Sequence, residues 1–166
     1  VHFAALKAVG ESVQQPLAYY ANNIGGLLSV CEAMRAHACT RMVFSSTRDG
    51  NSEIYSSNAD GSDIRRLTND PGIDVSPSCS ASGTIAFVSN RHGSPQIWTM
   101  DANGGGQKRV TYKGEYNQTP AWCPDPKKQL SAFTGRDTHM DVFTINLASG
   151  EYTRITQAQG TNKDPA

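Results

Sequence analysis

Ser89-Asn90-Arg91-His92-Gly93-Ser94-Pro95-Gln96-Ile97-Trp98-Thr99-Met100-Asp101 is a short apolar run entered through a glycine turn, and it has copies elsewhere in the chain. Its Ile97-Trp98 pair is matched by Ile54-Tyr55 and by Val142-Phe143. The Arg109-Val110-Thr111 that follows returns as Arg66-Leu67-Thr68 and Arg154-Ile155-Thr156. Pro120 is matched by Pro77 and Pro165, and Ser89 by Ser46 and Thr134. All four series step by 43 and then by 45 residues, the longer step taking up extra residues around Pro126-Lys127-Lys128. Four markers in one register define a repeat.

Each period has room for four short strands. In the middle copy these are expected at Thr84–Ser89, Gln96–Asp101 and Gln107–Thr111, with Asn117–Trp122 opening the next period. The links carry turn chemistry: His92-Gly93 and Asp49-Gly50 in one hairpin, and Asp60-Gly61, Asn103-Gly104 and Ser149-Gly150 in the next. Four antiparallel strands in about 43 residues is the size of a β-propeller blade. Ile85, Phe87, Ile97 and Trp98 are expected to pack between neighbouring blades. The fold class read from this is mainly β: a partial propeller of about three four-stranded blades over residues 47–166, lacking the first strand of its first blade. Propellers close with ~4–8 blades, so an open stack exposes sheet edges through which self-association is expected.

Before residue 47 the texture differs. Val1-His2-Phe3-Ala4-Ala5 reads as the end of a buried strand, and Pro16 suits a first helical turn. Leu17, Tyr20, Ile24, Leu27, Leu28, Cys31 and Met34 recur at three- and four-residue steps, one face of a helix over about 16–38. Arg41-Met42-Val43-Phe44-Ser45-Ser46 closes a β-α-β unit over residues 1–46, a truncated Rossmann-type element with too little mass to cover both faces of a parallel sheet.

Fifteen Lys+Arg balance fifteen Asp+Glu, and charged residues are only 18% of the chain. Zero net charge with 8% aromatics excludes a disordered polyelectrolyte and gives no electrostatic reason for nucleic acid as a partner. No stretch approaches ~18 consecutive apolar residues, so no membrane span is expected. The start Val1-His2-Phe3 shows no initiator Met and no basic-then-apolar leader, and Asp164-Pro165-Ala166 falls on a repeat marker, so an incomplete set of blades is expected.

Candidates for chemistry are few. Cys31, Cys39, Cys79 and Cys123 have no metal or disulfide spacing and are expected to be buried or half-buried thiols. His2, His37, His92 and His139 are scattered, so no metal site is expected. No G-x-S-x-G elbow occurs. Asp49, Asp60, Asp70, Asp74, Asp101 and Asp137 sit at or beside turns, where Asp satisfies nearby backbone. The sharper reading takes Asp74 and Asp164, near the inner strands, as lining a central channel able to hold a cation, and Tyr116 as part of a partner surface. Trp98 and Trp122 are expected between blades.

Ser46-Thr47-Arg48-Asp49-Gly50-Asn51-Ser52-Glu53-Ile54-Tyr55, its copy at Ser89–Asp101, and Thr119-Pro120-Ala121-Trp122-Cys123-Pro124-Asp125 resemble the blades of TolB-type β-propellers. The last stretch is similar to that family's Pro-Ala-Trp-Ser-Pro-Asp-Gly strand, with Cys123 for Ser and Pro126 for Gly. The resemblance covers about 120 of the 166 residues. It implies a non-enzymatic, periplasmic scaffold that binds protein partners of the Pal and Tol kind.

The first 46 residues resemble UDP-glucose 4-epimerase, a relative of the short-chain dehydrogenases, through Phe3-Ala4-Ala5-Leu6-Lys7-Ala8-Val9-Gly10-Glu11-Ser12-Val13, Pro16-Leu17, Tyr19-Tyr20-Ala21-Asn22-Asn23 and Phe44-Ser45-Ser46. That resemblance implies NAD contacts at Phe3, Ala4, Lys7 and Asn22, a substrate contact at Thr47, and a cytoplasmic setting. Ala5 stands where the family has Gly, and after Thr47 the family's continuation is absent. Within these 166 residues there is no glycine-rich phosphate turn and no Tyr-x-x-x-Lys pair, so an inactive remnant and no cofactor are expected. The run Phe44-Ser45-Ser46 fits both patterns, which marks the join of a chimera formed by recombination, by design or by a misassembled frame.

Overall fold

A computed structural model describes residues 40–123, 130–136, 140–157 and 160–162, with positions 13–18, 21, 32 and 34 before them. The chain forms two compact units, Val1–Met42 with Asn58–Asp60, and Val43–Ser57 with Gly61–Ala166. In the first unit Val13, Gln14, Pro16, Leu17, Ala18, Ala21, Glu32 and Met34 are helical. Leu17, expected on the apolar helix face, is exposed. The first strand of the expected β-α-β unit and most of its helix lie outside the described residues.

The described residues from 40 onward form three sheets. The first orders β1 (Arg41–Ser46), β2 (Glu53–Asn58) and β3 (Arg65–Arg66). The second orders β4 (Asp74–Cys79), β5 (Ile85–Ser89), β6 (Gln96–Met100) and β7 (Lys108–Arg109), and the third β8 (Tyr116–Trp122), β9 (Leu130–Arg136), β10 (Met140–Asn146) and β11 (Tyr152–Arg154). In the two four-stranded sheets every neighbouring pair is antiparallel. The chain is thus mainly β, built of propeller-type blades, the first of them three-stranded as its repeat phase implies.

Local chemistry explains the strand ends. Gly93 closes a turn by donating its N–H to the Asn90 carbonyl at 2.8 Å, and its φ of 102° is a left-handed value that glycine adopts without strain. The expected strand Gln107–Thr111 shortens to Lys108–Arg109 for a hydrogen-bonding reason. The N–H groups of Val110 and Thr111 both turn onto the Ile97 carbonyl, at 2.8 and 3.3 Å, and so leave the ladder. Pro77 and Pro120 sit inside inner strands, where a proline removes a ladder donor. The chain accommodates each with a bulge, register shifting between Val75 and Ser78 and again between Gln118 and Ala121, and the preceding Ser76 and Thr119 take φ of 54° and 50°.

Strand periodicity builds two cores. Ile85 and Phe87 of β5 with Trp98 and Met100 of β6 pack against Ile54 and Leu67 of the first blade. Ala86, Val88 and Ile97 point the other way, with Val110, onto Ile145, with Val75, Trp122, Phe143, Leu147 and Tyr152 around them. Every residue of β5 and β6 is therefore buried, because the middle sheet is covered on both faces. Each large aliphatic or aromatic side chain so buried contributes about 1.5–3 kcal/mol.

The seams between blades are also hydrogen-bonded. At the start of β4 and of β8 one N–H reaches back to the preceding blade, Asp74 to the Ser52 carbonyl at 2.8 Å and Asn117 to Pro95 at 2.9 Å, and Asn162, at the equivalent repeat position, bonds Met140 at 2.9 Å. These ties keep the same 43- and 45-residue steps. Gly104 marks a closer approach: a Cβ there would stand 2.5 Å from the Leu67 carbonyl oxygen.

Cys79, at the end of β4, is exposed, which departs from the expectation of buried or half-buried thiols; Cys123 is half-buried. Cys31 and Cys39 lie outside the described residues.

Candidate functional site

The seams hold most of the buried polar chemistry, and the repeat makes their comparison direct. In the first blade Glu53, fully buried at the start of β2, accepts the Arg66 guanidinium through Oε1 at 2.9 Å and the Asp70 N–H at 2.9 Å. The Thr68 hydroxyl donates to its other oxygen and accepts the Ile54 N–H at 2.9 Å. In the third blade Asp141 accepts the Thr156 hydroxyl at 2.8 Å and pairs with Arg154, while Val142 donates to the Thr156 oxygen. The Thr156 hydroxyl, ahead of Arg154 and Asn162, holds the Asp141 carboxyl below its ordinary value against the effect of burial.

The middle blade keeps the geometry and changes the charge. Gln96 takes the place of Glu53 and Asp141; its Oε1 accepts the Thr111 hydroxyl at 2.7 Å and the Asn117 amide at 2.9 Å, and its Nε2 donates to the Gly114 carbonyl at 3.2 Å. Arg109, the counterpart of Arg66 and Arg154, consequently has no carboxylate partner among the described residues. Its Nε is held by the Thr111 carbonyl, and its guanidinium lies 5.0 Å from the centroid of the Tyr112 ring. Beside it the Tyr152 hydroxyl donates to the Val110 carbonyl at 3.1 Å and accepts the Tyr112 N–H at 2.8 Å, with the Lys113 ammonium 5.5 Å from the Tyr152 ring.

Asp74 does not face an open channel. Its side chain is 0% exposed, with Oδ2 accepting the Arg91 guanidinium at 2.6 Å and Oδ1 buried without a hydrogen-bond partner. Burial pushes its carboxyl pKa up, and Ser89, Arg91 and Thr68 pull it back only in part. Arg91 also bonds Gln107 at 2.7 Å and lies 4.6 Å from the Trp98 ring centroid, so the carboxylate is engaged inside the fold. Tyr116 opens β8 and is exposed; Ile73, its counterpart 43 residues earlier, is exposed as well. Thr47 is exposed, and its carbonyl accepts the Gly50 N–H in the turn after β1. Phe3, Ala4, Lys7, Asn22 and Asp164 lie outside the described residues. Trp98 is buried in the first seam, and Trp122, half-buried in the second, donates its indole N–H to the Ser78 carbonyl at 2.8 Å.

The sequence reading did not single out Glu53, Gln96 and Asp141, or the threonines they hold. The signal was present: Thr closes the repeated Arg-x-Thr marker, and the 43- and 45-residue steps carry Glu53 onto Gln96 and Asp141. No group of three or more His, Cys, Asp or Glu among the described residues is arranged to hold a metal ion.

Blades of up to four antiparallel strands, each tied to the blade before it by a backbone hydrogen bond and repeating one buried polar network, define the β-propeller class. The chain belongs to the TolB β-propeller domain family, whose model matches residues 37–133. Among solved structures, TolB from Acinetobacter baumannii is 28% identical, with a TM-score of 0.65 over 75% of this chain and 31% of that one. A protein assigned as TolB from Agrobacterium tumefaciens shares the fold at a TM-score of 0.62 and 24% identity, over 69% of this chain and 44% of that one. A second family model, GDP-mannose 4,6 dehydratase, matches residues 1–61, so the two matches overlap around β1. There the chain is 62% identical over 47 residues to UDP-glucose 4-epimerase 2 of Oryza sativa and 57% identical to the UDP-glucose 4-epimerase of Mus musculus. It spans 12% and 14% of those enzymes' lengths. No helix among the described residues is long and apolar enough to cross a membrane.

Proposed function

We propose that this chain is a non-enzymatic, protein-binding scaffold of the TolB propeller type, acting in the periplasm on partners of the Pal and Tol kind. The observation that carries the reading is the match of the propeller family over residues 37–133, on a fold whose seams repeat one hydrogen-bonded geometry. Glu53 and Asp141 and the Thr68, Thr111 and Thr156 hydroxyls of those seams are satisfied by one another, by arginine or glutamine and by the backbone, which is the chemistry of a rigid frame. The domain division goes with it: residues 1–46 as the epimerase-like element and 47–166 as the blades. Titration of the chain with the soluble domain of a Pal-type lipoprotein, followed by calorimetry and by mass in solution, tests the proposal. A saturable complex is expected; no heat and no change in mass at high-micromolar concentrations would overturn it.

A second reading rests on the 62% identity over 47 residues to a UDP-glucose 4-epimerase. On that reading Phe3, Ala4, Lys7 and Asn22 contact NAD and Thr47 contacts a nucleotide-sugar, in the cytoplasm. NAD would supply hydride chemistry, but the Tyr-x-x-x-Lys pair for the accompanying proton transfer is absent from these 166 residues. A ligand bound only by the folded state raises the melting temperature. No rise with millimolar NAD is expected, and a dose-dependent rise would favour this second reading.

A further inference from the structure

The second seam differs from the first in a consistent direction. Stepping by 43 residues, Glu53 becomes Gln96, Asp70 becomes Lys113 and Asp74 becomes Asn117, while Arg66 is kept as Arg109. Three carboxylates are thus replaced by an amide, an ammonium and an amide; of the three, Glu53 is the one that pairs with Arg66, while Asp70 and Asp74 pair with Arg91. The same step turns Asn69 into Tyr112, and the 45-residue step turns Gln107 into Tyr152. Two tyrosines therefore accompany the two cations at this seam, where the first seam has amides.

We infer that Arg109, Lys113, Tyr112 and Tyr152 form a docking patch for an acidic peptide segment of a protein partner, whose carboxylate supplies from outside the charge complement that Arg66 finds in Glu53. The inference rests on the protein-binding reading and assigns a surface and a partner chemistry to it. Arg109 is half-buried and oriented by the Thr111 carbonyl, so its planar fork is held in place for a two-point contact with a carboxylate. Tyr112 is 70% exposed and Lys113 is exposed beside it. Tyr112 is anchored on Arg109 by its hydroxyl, which donates to the Arg109 carbonyl at 3.1 Å. Aromatic side chains and arginine are the residues that dominate protein interfaces. Glu115, the nearest acid along the chain, pairs with neither cation among the described residues.

The test is calorimetric titration of the full chain with hexaglutamate, with hexaglutamine and inorganic phosphate as separate arms, at low and at physiological salt. Arg109→Gln removes the fork. Gln96→Glu leaves Arg109 in place and supplies the internal carboxylate found in the other two blades. Lys108→Gln makes the same change in net charge at the neighbouring β7 position. Saturable, salt-sensitive binding of hexaglutamate is expected, weakened roughly tenfold by both Arg109→Gln and Gln96→Glu and little altered by Lys108→Gln. Circular dichroism and melting of each variant are recorded alongside, so that a loss of fold is read separately from a loss of binding. Absence of hexaglutamate binding, equal weakening by Lys108→Gln, or an unchanged affinity in Gln96→Glu each overturns the patch, as does phosphate binding without hexaglutamate binding. If a Pal-type domain binds while these variants leave hexaglutamate unaffected, the patch fails and the scaffold reading stands. Hexaglutamate binding through Arg109 without a Pal-type complex gives the opposite result.

Discussion

Trp122 donates its indole N–H to the carbonyl of Ser78 at 2.8 Å, a bond that crosses from β8 to β4 and ties two inner strands 44 residues apart. The ring also packs against the core of the second seam, so one side chain supplies both apolar cover and a directed bond. Trp122→Phe keeps most of the cover and leaves the Ser78 oxygen without its donor. A loss of about 1 kcal/mol is expected, read as a lower urea midpoint with unchanged slope.

Thr111 carries more polar contacts than its size suggests. Its hydroxyl donates to Gln96 and accepts the Ile97 N–H, both inside the fold. Thr111→Val preserves shape, leaves the buried Ile97 N–H without its side-chain acceptor and removes one of the two donors to Gln96 Oε1, at a cost of roughly 1–3 kcal/mol. Thr153→Val, at an exposed position on β11, is the control and should leave the melting temperature almost unchanged. Equal effects of the two would remove the network from the account of stability.

Gly104 and Gly93 separate two costs of adding a methyl group. Both have positive φ, 87° and 102°, but only at Gly104 would the new Cβ meet backbone, 2.5 Å from the Leu67 oxygen; at Gly93 nothing lies within 4 Å. Gly93→Ala should cost roughly 1–2 kcal/mol for the left-handed backbone alone. Gly104→Ala should cost clearly more and displace the first blade, which comparison of the two denaturation curves would reveal.

Two carboxylates should give opposite slopes of stability with pH. Asp141 is held below its ordinary value of 3.8, so its stabilising contribution is complete above that value and is lost as pH falls through the lowered one. Asp74 is raised by burial, so its contribution is greatest below 3.8 and is lost as pH rises through the raised value. Asp141→Asn should therefore flatten the acid limb of a plot of melting temperature against pH, and Asp74→Asn the limb above it. Parallel curves for the parent and both variants would count against these assignments.

The blades were legible because their determinants are local: turn glycines, alternating apolar pairs and an Arg-x-Thr marker all fall at fixed spacing. The bulges at Pro77 and Pro120 and the early end of β7 were not, since they depend on which carbonyl a given N–H reaches once the strands pair. Asp74 shows the limit for the site. Its place beside a turn is visible in the sequence, but its burial comes from Arg91, seventeen residues on, which closes over it and binds Trp98 and Gln107 as well. Ranking acids by nearness to an inner strand could not anticipate that. Asking how each repeat position changes charge would have brought out Gln96, Arg109 and Lys113 from the sequence alone.

The three backward ties, from Asp74 to Ser52, Asn117 to Pro95 and Asn162 to Met140, have a bearing on biogenesis. Each new blade docks through an amide onto an acceptor already made, so a ribosome delivering the chain in order always presents a finished template to the emerging segment. Accretion of this kind lets the molecule be lengthened or shortened by whole modules at the level of the gene without redesigning any contact already laid down.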